Sequence, residues 1–138
     1  AKVARDRLGN ESTYSGLLRN RDPLSITASD LFNAFEAGDP LAVEVIEECI
    51  EFWGMAVANL VSLFNPEKII LGGGVFGPAV KLIPAIVREA GRWAQPISVS
   101  QMTLEISSLG GDAGVYGAGY LALRNLKEFI PTKSDYVQ

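Results

Sequence analysis

Three consecutive glycines, Gly72 to Gly74, follow the run Lys-Ile-Ile-Leu at 68 to 71 in the stretch NPEKIILGGGVFG. The run is β-branched and entered through Asn65-Pro66, so it reads as a buried strand begun after a helix stop. Glycines at a strand's carboxyl end suit ligand binding, because ligands of open α/β sheets bind there and glycine admits positive φ and close backbone approach. A tight strand-to-helix turn would use the same residues, and the triplet alone leaves both readings open. A second pair, Gly110 and Gly111, precedes Asp112 at the expected mouth of another strand, beside the first turn. Asp112 reads first as a helix cap. The amides and helix dipole that hold a capping carboxylate keep it ionised and make it a poor base. A ligand contact is its functional reading. Cys49, the only cysteine, has Glu47, Glu48 and Glu51 as neighbours, the opposite of the electropositive setting a reactive thiol needs, so it reads as core. With one cysteine and no histidine, the chain makes neither an internal disulfide nor an ordinary Cys/His zinc site.

The elements that must position these glycines can be read from the spacing. Residues 1–26 mix a short helical pattern with Gly, Asn, Ser and Pro, and read as a helix remnant and a loop. Thr27 with Asp30 resembles a capping box opening a helix over about 28–37, which Gly38 stops. Asp39 caps the next helix, Pro40 suits its first position, and apolar residues recur at helical spacing to Phe64. Gly54 and Ala58, four apart, leave room for a close neighbour. Beyond the glycine strand, a helix is predicted over about 78–93, with Pro84 near its first turns or bending it. The alternation Met102, Leu104, Ile106 predicts a second strand, and a last helix runs from Asp112 to about Phe129 before a polar tail at 130–138. The predicted order is α-α-β-α-β-α, an α/β pattern, treated as one domain over 1–138. The two strands suggest a parallel βαβ unit. Two strands make a poor sheet, so further strands are expected from an absent N-terminal half or another chain, with a homo-oligomer expected.

Apolar residues make up 48% of the 138 and charged ones 20%, which supports a folded chain and argues against disorder. The net charge of −4 and the lack of a basic cluster argue against contact with nucleic acid. The longest apolar run, Gly54 to Phe64, is broken by Asn59 and Ser62 and is too short to span a bilayer, so no membrane contact is expected. The start AKVARDRLG lacks an apolar signal core and an initiator Met, which suggests a fragment or processed chain. The cysteine usage fits a reducing cytoplasm.

The segments NLVSLFNPEKIILGGGVF and LGGDAGVYGAGYLAL, preceded by ITASDLFNAFEAGDPLAVEVI, closely resemble the C-terminal half of the ROK family of bacterial sugar kinases and sugar-responsive repressors. The resemblance spans about residues 25 to 125. It implies an actin-like, hexokinase-like ATPase fold of ribonuclease H-like lobes closing around sugar and ATP, of which this chain would be the later part of the second lobe. In such kinases the strand-to-glycine turn faces the adenosine of ATP, at positions matching Gly72, Gly73 and Gly74. The family's Asp-Gly-Thr phosphate turn, catalytic aspartate, zinc loop and sugar-contacting His and Glu find no match here. The resemblance thus implies a nucleotide-side half acting with Mg-ATP and a sugar in the parent protein, inactive alone. The rival it leaves open is the effector-binding domain of a repressor.

Overall fold

The structure, a computed structural model, describes residues 1–10 and 13–129. Helix α1 (Lys2–Asn10) forms within the helical pattern read at the start of the sequence, followed by a loop with one 3-10 turn, Pro23–Ser25. Helix α2 (Ala28–Glu36) opens with the predicted reciprocal cap, in which the Asp30 amide donates to Thr27 Oγ1 and the Thr27 amide donates to Asp30 Oδ2. Gly38, at φ +76°, turns the chain out of α2. Helix α3 (Pro40–Phe64) then begins with Pro40 in its first turn and the Ala42 amide donating to Asp39 Oδ1 at 3.0 Å.

Strand β1 (Lys68–Leu71) pairs with β2 (Thr103–Ile106) in parallel, with Ile69 opposite Leu104 and Leu71 opposite Ile106. Ile69, Leu71, Leu104 and Ile106 sit on the more buried face, and Lys68, Ile70, Thr103 and Glu105 on the exposed one. Between the strands the structure departs from the predicted single helix over 78–93. A 3-10 segment, Pro78–Leu82, comes first, and helix α4 is confined to Ile83–Ala90 with Pro84 in its first turn. Proline offers no N–H to the carbonyl four residues back and crowds it, so Pro84 is accommodated in the first turn of α4 and not in a helix interior. A short helix, α5 (Pro96–Gln101), was not foreseen; at six residues it is too brief to show periodicity. Helix α6 (Ala113–Phe129) closes the order, which becomes α-α-α-β-α-α-β-α. The predicted tail, 130–138, lies outside the described residues.

The core lies where α3 crosses α1, α2 and α4. Ile26, Val45, Ile46, Val61 and Ile86 are its most enclosed large side chains. Gly54 allows α3 and α4 to approach: a Cβ there would lie 2.5 Å from Glu89 Cγ and 3.1 Å from the Ala90 amide. Asp39, 3% exposed, joins three segments. Besides Ala42, it accepts from the Tyr14 hydroxyl at 2.5 Å and the Leu17 amide at 2.7 Å, so the loop after α1 is fastened to the start of α3. Arg7 adds a clamp from α1 to α3 through Glu44 and Glu48.

Candidate functional site: a glycine-lined cavity at the strand ends

Both strands end at the same edge of the molecule, and the chain leaves each through glycines. A cavity of about 120 Å³ opens there, lined by Gly72, Gly73, Gly74, Gly77, Ile106, Ser107, Gly110 and Gly111. The two glycine segments, 36 residues apart in sequence, are thus brought together. The first is anchored by Phe76, which follows in a 3-10 turn, Gly74–Phe76, and packs its ring 5.3 Å from that of Trp53 on α3. The second is held by the Ser107 amide, which donates to the Leu71 carbonyl at 2.7 Å and extends the strand pairing by one residue.

The turn reading accounts for only part of this glycine content. Gly73 at φ +94° and Gly110 at φ +54° occupy backbone conformations that side chains disfavour. Gly72, Gly74 and Gly111 do not, and a Cβ at any of the five would meet nothing within 4 Å. Neither conformation nor internal crowding demands glycine at these three positions. What they do is keep backbone amides and open space at the surface, which an approaching ligand could use.

Asp112 is exposed, completes a 3-10 turn, Gly110–Asp112, and immediately precedes α6, outside the residues lining the cavity. Gly77 and Ser107 line the cavity without having been singled out from the sequence. Gly77 closes the same Gly-rich stretch, and Ser107 is the first residue past β2, which is the signal that could have found them. Cys49 is half-buried against the core, and burial pushes its thiol above the usual range, with Glu48 adding to the effect. A larger groove, about 690 Å³, runs between α1, α3 and α4. Arg7 pairs there with Glu44 and Glu48 and Arg92 with Glu89, while Glu47, Glu51 and Arg88 also line the groove. Among the described residues, no group of three or more His, Cys, Asp or Glu side chains is placed to hold a metal ion, and no helix is long and apolar enough to cross a membrane.

The sequence model of the ROK family matches residues 11–125. The chain belongs to the ROK family. A glucokinase of Halalkalibacterium halodurans is 38% identical over 96 residues, which cover 70% of this chain and 29% of that enzyme. A crystal structure of a protein assigned as a sugar kinase from Cytophaga hutchinsonii superposes with a TM-score of 0.75 at 20% identity, over 88% of this chain and 40% of the other, and so shares its fold. A ROK family transcriptional regulator, a homologue of the E. coli MLC protein, superposes with a TM-score of 0.64 at 29% identity, over 76% of this chain and 26% of its own. The chain thus spans about a third of the length of the curated ROK relatives it matches. It has the mixed helical fold with a small parallel sheet that places both glycine segments at one edge.

Proposed function

We propose that this chain is the C-terminal, nucleotide-side part of a ROK-type sugar kinase, the later portion of an actin-like, hexokinase-like lobe of ribonuclease H-like kind. The observation that carries the reading is the presence of Gly72, Gly74 and Gly111 where neither φ nor neighbouring atoms require glycine. Such positions suit the flat face of a nucleoside lying against bare backbone. At 120 Å³ the cavity holds only a fraction of a nucleotide and is one wall of a site, since complete ligand pockets run to roughly 300–1,000 Å³. In this reading ATP supplies the phosphoryl group, and Gly72, Gly73 and Gly74 hold the adenosine side so that the triphosphate points away from the strands. Ser107 offers a hydroxyl to the same ligand, and Asp112, beside the start of α6, takes no part in proton transfer. The general base that deprotonates the sugar hydroxyl, and the groups that hold Mg²⁺, would lie outside this chain. The intact chain alone is then inactive. The zinc loop of the family likewise has no counterpart among one cysteine and no histidine. A cytoplasmic setting, where ATP and sugar meet, goes with this reading.

The likeness to a ROK transcriptional regulator favours one second reading, in which the same fold is an effector-binding domain and the nucleotide wall is unused. Titration of the isotopically labelled chain with Mg-ATP separates the two. The kinase reading expects saturable shifts of the amides of Gly72 to Gly74, Ser107, Gly110 and Gly111. Amides that stay unmoved at millimolar Mg-ATP would reject the nucleotide wall and leave the effector domain. Turnover of any hexose by the chain alone, above an enzyme-free control, would show that the base has been wrongly placed outside it.

A further inference from the structure

The first glycine segment is held at its two ends by different means. At its start the Leu71 carbonyl accepts from the Ser107 amide at 2.7 Å, a backbone bond that asks little of the side chains. At its far end the hold is a side chain. Of residues 72–78 only Phe76 is not exposed, and its ring packs 5.3 Å from that of Trp53, tilted by 46°. The next enclosed residue, Ala79, lies three further on, beyond Gly77 and Pro78. Between the two holds, Gly72, Gly73 and Gly74 have more backbone freedom to lose than other residues would, and a Cβ on any of them would face open space, so no neighbour packs there to restrict them. The Phe76 amide donates to the Gly73 carbonyl at 3.2 Å, so the placement of the ring passes directly into the turn. Trp53 is a firm support. It is partly buried against the core and immediately precedes Gly54, where α4 lies against α3.

We propose that Trp53 is a positioning residue of the glycine edge: through the Phe76 ring it holds Gly72 to Gly74 in the conformation that receives the ligand, while itself lying outside the residues that line the cavity. The segment is thereby ordered before a ligand arrives, and the freedom of three glycines need not be lost on binding. Loss of the ring contact lowers the fraction of the chain in the receptive conformation, and the apparent affinity falls by the same factor. An aromatic pair of this geometry shifts an equilibrium by about two- to tenfold beyond the area it buries, which sets the size of the effect. An ordinary core contact acts otherwise. It stabilises the folded chain as a whole and leaves the affinity of the folded molecules unchanged. The identity of the ligand as Mg-ATP rests on the kinase reading; the ordering of the glycines does not.

The test uses the intact, isotopically labelled chain and three variants. Trp53→Leu keeps an apolar side chain and removes the ring, Trp53→Phe restores a ring, and Leu31→Ala opens a cavity in the same core at a residue outside the aromatic pair. Backbone relaxation gives the order parameters of the Gly72, Gly73 and Gly74 amides without ligand. Titration with Mg-ATP gives the affinity, and thermal melts give the folded fraction to which it is referred. The expected order parameters are about 0.85 in the parent and below about 0.6 in Trp53→Leu, the values of rigid and of flexible backbone. Folded Trp53→Leu should bind Mg-ATP about two- to tenfold more weakly, and Trp53→Phe should recover most of both losses. Leu31→Ala should lower the melting temperature and alter neither. Were Trp53 only a part of the core, Trp53→Leu would behave as Leu31→Ala does. Glycines that are already flexible in the parent, or that are as ordered in Trp53→Leu as in the parent, overturn the proposal whatever Mg-ATP does. A folded Trp53→Leu variant that binds Mg-ATP as tightly as the parent also overturns it. Glycines that loosen in Trp53→Leu when the parent itself binds no Mg-ATP retain the positioning role and reject only the kinase reading.

Discussion

The helical body around α3 and the pair formed by β1 and α6 obey opposite rules of burial. In the body, apolar residues at helical spacing meet their partners within the chain: Val45, Ile46 and Val61 of α3 are enclosed by α1, α2 and α4, and even its buried carboxylate is hydrogen-bonded. In α6 the residues are as apolar, but Val115, Tyr120 and Leu123 face outward. The difference teaches that local structure and burial have separate causes. Helix formation in α6 needs only propensity and backbone hydrogen bonds, whereas covering it needs another surface. The helices around α3 share one core, whereas α6 and the outer face of the sheet leave apolar side chains uncovered.

The largest expected effect tests that division directly. Ile46→Ala removes a side chain 2% exposed from the centre of α3 and should destabilise the chain by about 2–5 kcal/mol. Tyr120→Ala on α6 should alter stability by no more than about 0.5 kcal/mol, as surface substitutions do. Chemical denaturation of both variants reads the contrast. Comparable losses would mean that α6 belongs to the same cooperative core.

Next in size is the junction at Asp39. Burial alone would raise the Asp39 carboxyl, but hydrogen bonds from Tyr14 and from the amides of Ala42 and Leu17 outweigh it and hold the group below its ordinary 3.8. A depressed carboxyl stabilises the fold above pH 3.8, and this contribution is lost as pH falls through the lower folded value. The Tyr14 hydroxyl is pushed up to about 12 from 10.0, first by burial and then by its bond to Asp39, so its contribution is complete below pH 10 and disappears as pH rises towards 12. Asp39→Ala leaves three donors without their acceptor and should cost about 1–3 kcal/mol and remove the acid-side part of this profile. Urea midpoints between pH 2 and 5 are the measurement; a profile identical to that of the parent would exclude Asp39 as its source.

How much of this was legible in the sequence depends on how local each feature is. The caps at Thr27 and Asp39 and the length of α3 could be read because each is settled within a few residues of its signal. The bond from Tyr14 to Asp39 could not, since 25 residues separate them and nothing in either neighbourhood marks the other. The glycine cavity was half legible. The strand ends placed Gly72 to Gly74 and the pair at 110 and 111 at one edge, but Ser107 carries no local signal beyond its position after β2. The exposure of α6 was hidden altogether, because periodicity shows which residues seek cover and not whether cover is present.

A smaller effect distinguishes neighbouring glycines. Gly73→Ala forces a side chain into φ +94° and should cost about 1–3 kcal/mol whether or not a ligand binds. Gly74→Ala meets open space at an ordinary φ, and should leave stability within about 1 kcal/mol of the parent, with a gain the favoured direction. In the kinase reading, Gly74→Val should nevertheless weaken Mg-ATP binding, whereas Gly73→Ala confuses ligand and fold. Thermal melts beside the Mg-ATP titration separate these effects, and full Mg-ATP affinity in a folded Gly74→Val variant would reduce the glycine edge to a turn.

The smallest effect lies on the outer face of the sheet, where Lys68 Nζ is 2.9 Å from Glu105 Oε2 and both side chains are about half exposed. In the chain alone, a double-mutant cycle with Lys68→Met and Glu105→Gln should give a coupling of about 0.2–1 kcal/mol, reduced by salt, as for other exposed pairs. A coupling well above this range that salt leaves unchanged would mean that water is excluded from the pair and that this face of the sheet is covered in solution, because screening weakens as charges are buried. A small, salt-sensitive coupling makes the polar face of the sheet, with its cross-strand ion pair, an exterior, so that the division between the two regions runs through the sheet itself.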